Sequence, residues 1–161
     1  MTRVTRHGWS AYGLATVVIL LDQISKAWVL GVVNLAERGS VAVAGPLHLT
    51  MVWNRGVSFG LLKAEHDLVR WALVAFSVGV AILLIAWARK SERLTSAAGL
   101  GLVIGGAIGN AIDRARFGAV ADFIDVQRLG FFPWVFNVAD SAITVGVILL
   151  LLDSMRRERP A

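Results

Sequence analysis

The sequence contains no cysteine, which excludes disulfides, thiolate metal sites and a cysteine nucleophile. Charge is scarce too: Asp, Glu, Lys and Arg make up 17% of the 161 residues, against 57% hydrophobic residues, and the mean hydropathy is +0.68. That balance lies outside the soluble globular range and indicates an integral membrane protein. There is no room for a separate soluble domain, because four spans of about 20 residues take roughly half the chain and leave two substantial loops. His48 and His66 have no second ligand at metal-binding spacing, so both read as loop histidines. The formal charge of +5 could suggest nucleic acid, but the basic residues sit beside apolar stretches. Anionic lipid headgroups are therefore the expected partner, and nucleic acid is not.

Four apolar runs, at about residues 12–33, 68–87, 94–112 and 138–152, are read as the spans of one membrane domain covering residues 1–161. The chain starts with Arg3 and Arg6 ahead of an apolar run, the outline of a secretory signal. The run continues past Asp22 to Val33, and no small-residue cleavage site followed by a soluble domain appears, so it is read as the first span. Within it Asp22 and Lys26, four residues apart, share one helix face and can neutralise each other or reach other helices. Arg70 lies within a turn of the end of the second span and can snorkel to the interface. In the third, Gly101, Gly105 and Gly109 repeat every four residues and leave one face bare for close helix packing.

The intervening segments are mixed in character. Residues 41–53, VAVAGPLHLTMVW, alternate enough to predict short strands in an extramembrane segment that lies on the bilayer surface. Residues 115–137 leave the membrane, with Gly118, Gly130 and Pro133 breaking the helix and FFPWVF supplying interfacial aromatics. Four spans put both termini and the 89–93 turn on one side. These short pieces hold eight Lys/Arg in about 20 positions, against seven in about 60 on the other side, so the termini are expected in the cytoplasm.

The polar residues concentrate in residues 105–126, GGAIGNAIDRARFGAVADFIDV, and in FNVAD at 136–140. A charge at membrane depth costs about 2.5–3.5 kcal/mol on insertion scales, so acids retained beside apolar spans point to function. Two carboxylates across a water can hydrolyse an amide: the ionised one deprotonates the water while the protonated one donates to the carbonyl oxygen. Placed close together they cannot both ionise, and they titrate as a pair. Asp122, at the exit of the third span, and Asp140, at the entry of the fourth, lie on the same side and can converge. Asp125 competes with Asp122 on the same chemistry.

Four stretches carry a resemblance: DQISK at 22–26, NRGVSFG at 54–60, the GN, DR and V-x-DF pattern within 105–125, and FNVAD at 136–140. In this order, between four spans, the chain resembles the lipoprotein signal peptidases (signal peptidase II), aspartic proteases of the bacterial inner membrane. The resemblance implies that Asp122 and Asp140 are catalytic. It also implies that Asp22, Lys26, Asn54, Gly56, Asn110, Arg114 and Asn137 line or support the site. Asp113 is then expected to be a structural partner of nearby arginines. The implied fold is all-α, four transmembrane helices with a small extracytoplasmic β-sheet and loop over the site. The implied reaction removes the signal peptide from a prolipoprotein on the amino side of a diacylglyceryl cysteine, with no metal and no cofactor; a monomer is expected, and the cytoplasmic termini put its site toward the outer face. Two other classes fit parts of the pattern. Asp113-Arg114 with Gly118, Asp122 and Asp125 loosely resembles the acidic motif of metal-dependent lipid headgroup transferases, the CDP-alcohol phosphotransferases, without its Asp-Gly pair and final spacing. Buried acids also serve proton-coupled carriers. Mg²⁺ dependence identifies the first, and transport without proteolysis the second.

Overall fold

A computed structural model describes residues 3–56, 67–130 and 133–157. Residues 57–60 of the second motif, His66 and the Phe131-Phe132 pair lie outside the described residues. Among the described residues, four helices are long and apolar enough to cross a membrane: α1 (Arg6–Gly31), α3 (Asp67–Ala88), α4 (Leu94–Phe117) and α5 (Val138–Arg157). A short helix, α2 (Leu35–Arg38), and a four-stranded antiparallel sheet complete the architecture. The strands are β1 (Ser40–Ala44), β2 (Leu47–Asn54), β3 (Val120–Asp125) and β4 (Val135–Phe136), ordered β1-β2-β3-β4.

Helix α4 is the most buried of the four, and glycine is the reason. A Cβ placed on Gly101 would lie 2.6 Å from the Ala11 carbonyl oxygen, and one on Gly109 would lie 2.6 Å from Asp22 Oδ2, so the 101/105/109 stripe is the seam against α1. A second seam, absent from the sequence reading, faces α5: a Cβ on Gly99 would lie 2.9 Å from the Gly146 carbonyl oxygen, and one on Gly106 would collide with the Ala139 carbonyl oxygen. Two bare faces let one helix touch two neighbours at backbone distance. At one end of the bundle, Thr5 caps α1 by accepting from the Gly8 N–H (2.9 Å), and it ties that end to the turn after α3 through Arg89 O (3.1 Å) and Ser91 O (2.7 Å).

The sheet occupies the opposite end, because β1 follows α1 and α2, β3 follows α4, and β4 leads into α5. Its inner residues Leu49, Met51 and Phe123, with Leu35 of α2, close over Val29 near the end of α1. The alternating stretch at 41–53 forms β1 and β2, as its pattern predicts. Strand β3 replaces the irregular exit expected after the third span. Helix α4 also runs on to Phe117 rather than stopping near residue 112, and ends where Gly118 takes φ +76° and donates to Arg114 O (3.0 Å). Asp113 and Arg114, beyond residue 112, therefore lie within the helix. His48 sits on β2, not in a loop, and is buried with Nδ1 3.4 Å from Pro46 O.

Candidate active site

Strand β3 and the start of α5 bring the two principal acids to one place. Asp122 stands opposite Val52 on β3, and Asp140 is in the first turn of α5. The local sequence Asn137-Val138-Ala139-Asp140 forms a reciprocal helix cap: Asn137 Oδ1 accepts from the Asp140 N–H (2.8 Å), and Asp140 Oδ2 accepts from the Asn137 N–H (3.3 Å). The cap leaves Asn137 Nδ2 to donate to Asp122 Oδ1 at 2.6 Å. One buried asparagine thus joins both aspartates. Asp122 Oδ2 accepts from Asn54 Nδ2 (3.1 Å), and Asp140 Oδ1 accepts from Asn110 Nδ2 (2.8 Å). Every oxygen of the pair is met by an amide donor.

Burial, and after it the neighbouring Asp140 charge, push the Asp122 carboxyl from its ordinary 3.8 up to about 7, against the lowering effect of the Asn54 and Asn137 hydrogen bonds. Asp125 has the opposite environment. At the end of β3 it accepts from the Gln127 N–H (3.0 Å) and Thr50 Oγ1 (2.7 Å), and these bonds hold it below the usual carboxylate range.

Beneath the pair lies a buried ionic layer. Lys26 Nζ is 2.8 Å from Asp22 Oδ2 and 2.8 Å from Asp113 Oδ2, and reaches Asn110 Oδ1 at 3.4 Å. Asp113, expected to partner arginines, pairs instead with this lysine, because its side chain points inward from α4 toward α1. It also accepts from the Ala121 N–H (3.1 Å), and Asp22 accepts from the Ala139 N–H (3.0 Å) at the amino end of α5. The layer therefore ties α1, α4, β3 and α5 together beneath the aspartates. With Asn110 Oδ1 occupied by Lys26 and Asn137, the Asn110 amide has one orientation left, and its NH₂ must face Asp140.

A cavity of about 1190 Å³ opens over the pair. Asn54, Gly56, Asn110 and Arg114 line it with Asp122 and Asp140, whereas Asp22, Lys26 and Asn137 stand behind that lining. Much of its remaining wall is apolar, including Phe76 and Val80 of α3 and Val103 and Ala107 of α4. Asp125 is not part of it. Two contributors were not identifiable from the sequence. Gln23 Nε2 bridges Asp22, Asp113 and Gly109 O at 3.1, 3.0 and 3.3 Å, and only its place beside Asp22 hinted at this. Arg70, read only as a residue that can snorkel, binds the carboxyl end of α4, Nε to Arg114 O at 2.7 Å and Nη2 to Ala115 O at 2.6 Å.

Comparison with known proteins agrees with this fold. Residues 14–156 match the family described as signal peptidase (SPase) II. A lipoprotein signal peptidase of Caulobacter vibrioides is 56% identical over 156 residues, covering 96% of this chain and 92% of that protein. One of Rhizorhabdus wittichii is 46% identical over 96% of this chain and 90% of its own length. A bacterial membrane enzyme solved by the in meso method at 2.3 Å resolution is similar with a TM-score of 0.81 at 28% identity, covering 100% of this chain and 98% of that one. The chain belongs to the signal peptidase II family and is a multi-pass membrane peptidase.

Proposed function

We propose that this peptidase removes the signal peptide from bacterial prolipoproteins, cutting on the amino side of a cysteine that carries diacylglycerol, with Asp122 and Asp140 activating the water. The observation that carries the reading is the pair itself: two carboxylates on one cavity, bridged by Asn137 and each oxygen already hydrogen-bonded. Asp140, at the positive end of α5, takes a proton from the water. The resulting hydroxide attacks the scissile carbonyl carbon while Asp122, kept protonated near neutral pH, donates to the carbonyl oxygen. Collapse of the tetrahedral intermediate returns that proton to Asp122, and the leaving amine takes the proton held by Asp140. Both carboxyls end as they began.

Asn54 and Asn110 hold the acids at one rim of the cavity, and Arg114 presents its charge beside them. The apolar wall suits the acyl chains of the lipidated cysteine, since each buried CH₂ contributes about 0.8 kcal/mol. Membership of a peptidase family removes the headgroup-transferase and carrier readings. The chain sits in the inner membrane as a monomer, with both termini and the 89–93 turn in the cytoplasm and the sheet end outward. The basic density of those short pieces supports this orientation. Incubating the purified protein with a diacylated prolipoprotein, with and without EDTA, and resolving the products on a gel tests the reading. Mature product in both lanes is expected; no product, or product only without EDTA, contradicts it.

A further inference from the structure

We propose that Arg70 is a positioning residue of this peptidase: by clamping the carboxyl end of α4 it fixes the corner from which Arg114 and Asp122 reach the cavity. The inference rests on the reading of Asp122 and Asp140 as the catalytic pair.

The last four carbonyls of a helix have no partner within it, and near lipid an unmet carbonyl is costly. In α4 two successive ones, Arg114 O, which also accepts from the Gly118 N–H, and Ala115 O, are met by a single guanidinium arriving from α3, at 2.7 and 2.6 Å. A planar fork with several donors can hold two carbonyls in fixed geometry, whereas an ammonium acts as a point charge. Its charge also complements the negative end of the α4 dipole. Immediately beyond, Gly118 at φ +76° turns the chain into β3, and Arg70 lies against it, with Nη1 3.8 Å from where a Cβ would stand. Asp122 follows early in that strand.

Arg114 gives the clamp its consequence. Its guanidinium lines the cavity, yet its own bonds are long, 3.5 Å to Asn110 O and 3.5 Å to Gly56 O, and its buried Nε has no hydrogen-bond partner among the described residues. Those side-chain contacts do not fix the charge in place. The backbone beneath it does, and Arg70 holds that backbone. Helix α3 otherwise lends the cavity mainly apolar wall, so this bond is how its position reaches the chemistry.

The test uses the full chain in detergent with a lipidated prolipoprotein, measuring kcat and KM per folded molecule, with folding followed by size-exclusion profile and tryptophan fluorescence. Arg70→Lys keeps the charge and loses the fork. We expect kcat to fall by at least about tenfold with KM within about threefold, because substrate still enters the cavity but meets misplaced groups. Should Arg70→Lys not fold, Arg70→Gln, which keeps an amide donor for one carbonyl, carries the measurement with the same expectation. Asp67→Asn removes the exposed partner 3.6 Å from Arg70 and is expected to keep wild-type kcat. Wild-type kcat in the Arg70 variant, a loss confined to melting temperature or KM, or an equal loss in Asp67→Asn overturns the proposal. Asp122→Asn, assayed alongside, separates the two levels. If it is active the catalytic reading fails, and if it is inactive while Arg70→Lys is unimpaired only the clamp fails.

Discussion

Replacing Asp122 with asparagine should remove activity and at the same time reverse a pH-dependent instability. The carboxyl is 2% exposed, and its folded value is raised from 3.8 to about 7. The folded state therefore binds more protons than the unfolded state between those two values. Wild-type stability is then highest below the lower value, falls as pH rises through the window, and is level above the upper one. At up to about 1.4 kcal/mol per pH unit, with the slope halving as the acid half-titrates near the upper value, the loss from pH 5 to pH 7 is about 2 kcal/mol, or roughly 4–8 °C in Tm for a chain of this size. An asparagine at 122 carries no charge to desolvate. It does face two amide donors, Asn54 Nδ2 and Asn137 Nδ2, with only one oxygen, a mismatch of about 1–3 kcal/mol that is independent of pH. The variant should therefore melt at or below wild type at pH 5 and gain on it up to about pH 7, with only a few tenths of a kcal/mol more by pH 8. The six tryptophans provide the signal for melts of both proteins in one detergent across this range. Groups away from the pair are common to both, so the difference reports the titration that Asp122 shares with Asp140. A difference that stays flat from pH 5 to 8, or narrows as pH rises, refutes the argument that burial beside Asp140 holds this acid protonated.

Asp125→Asn should retain substantial kcat/KM and lose at most about 1–2 kcal/mol of stability, because Asp125, which holds Thr50 and the Gln127 N–H, does not itself line the cavity; a melt and a cleavage assay on the same preparation check both. Lys26→Met strands Asp22 and Asp113 without their cation and should cost about 3–5 kcal/mol, seen as a large Tm drop or loss of membrane-inserted protein, while near-wild-type stability would show that the layer is not the tie it is drawn as. A reporter active only in the cytoplasm should work within the 89–93 turn and fail within residues 40–54; the reverse pattern overturns the orientation.

The parts of the fold that were legible are those set by local pattern. Apolar runs marked the spans, alternation marked β1 and β2, and the 101/105/109 spacing marked the seam on α1. What escaped the sequence depends on partners distant in the chain. Strand β3 carries two acids in six residues and pairs with β2 nearly seventy residues upstream, so nothing local marks it as a strand. Asp113 and Arg114 read as a membrane exit because charge normally ends a span, yet Lys26 and Gly56 receive them and the helix continues. The second glycine seam needs Gly99, Gly106 and Gly146 from two helices, and no single run shows it. Asp22, Lys26 and Asn137 were assigned to the site by resemblance; their places behind the cavity lining, and the cap that frees Asn137 Nδ2 for Asp122, required coordinates.

Cleavage of one lipidated prolipoprotein by Asp122→Asn and Asp140→Asn, each shown to be folded in the same detergent as wild type, tests the catalytic pair most directly. Neither amide can take the proton from water or give one to the carbonyl oxygen as the pair requires, so both variants should produce no mature product above background while melting as cooperatively as wild type. Product from either folded variant at a rate comparable to wild type contradicts the assignment, and activity in Asp122→Asn with none in Asp125→Asn moves the catalytic role to Asp125.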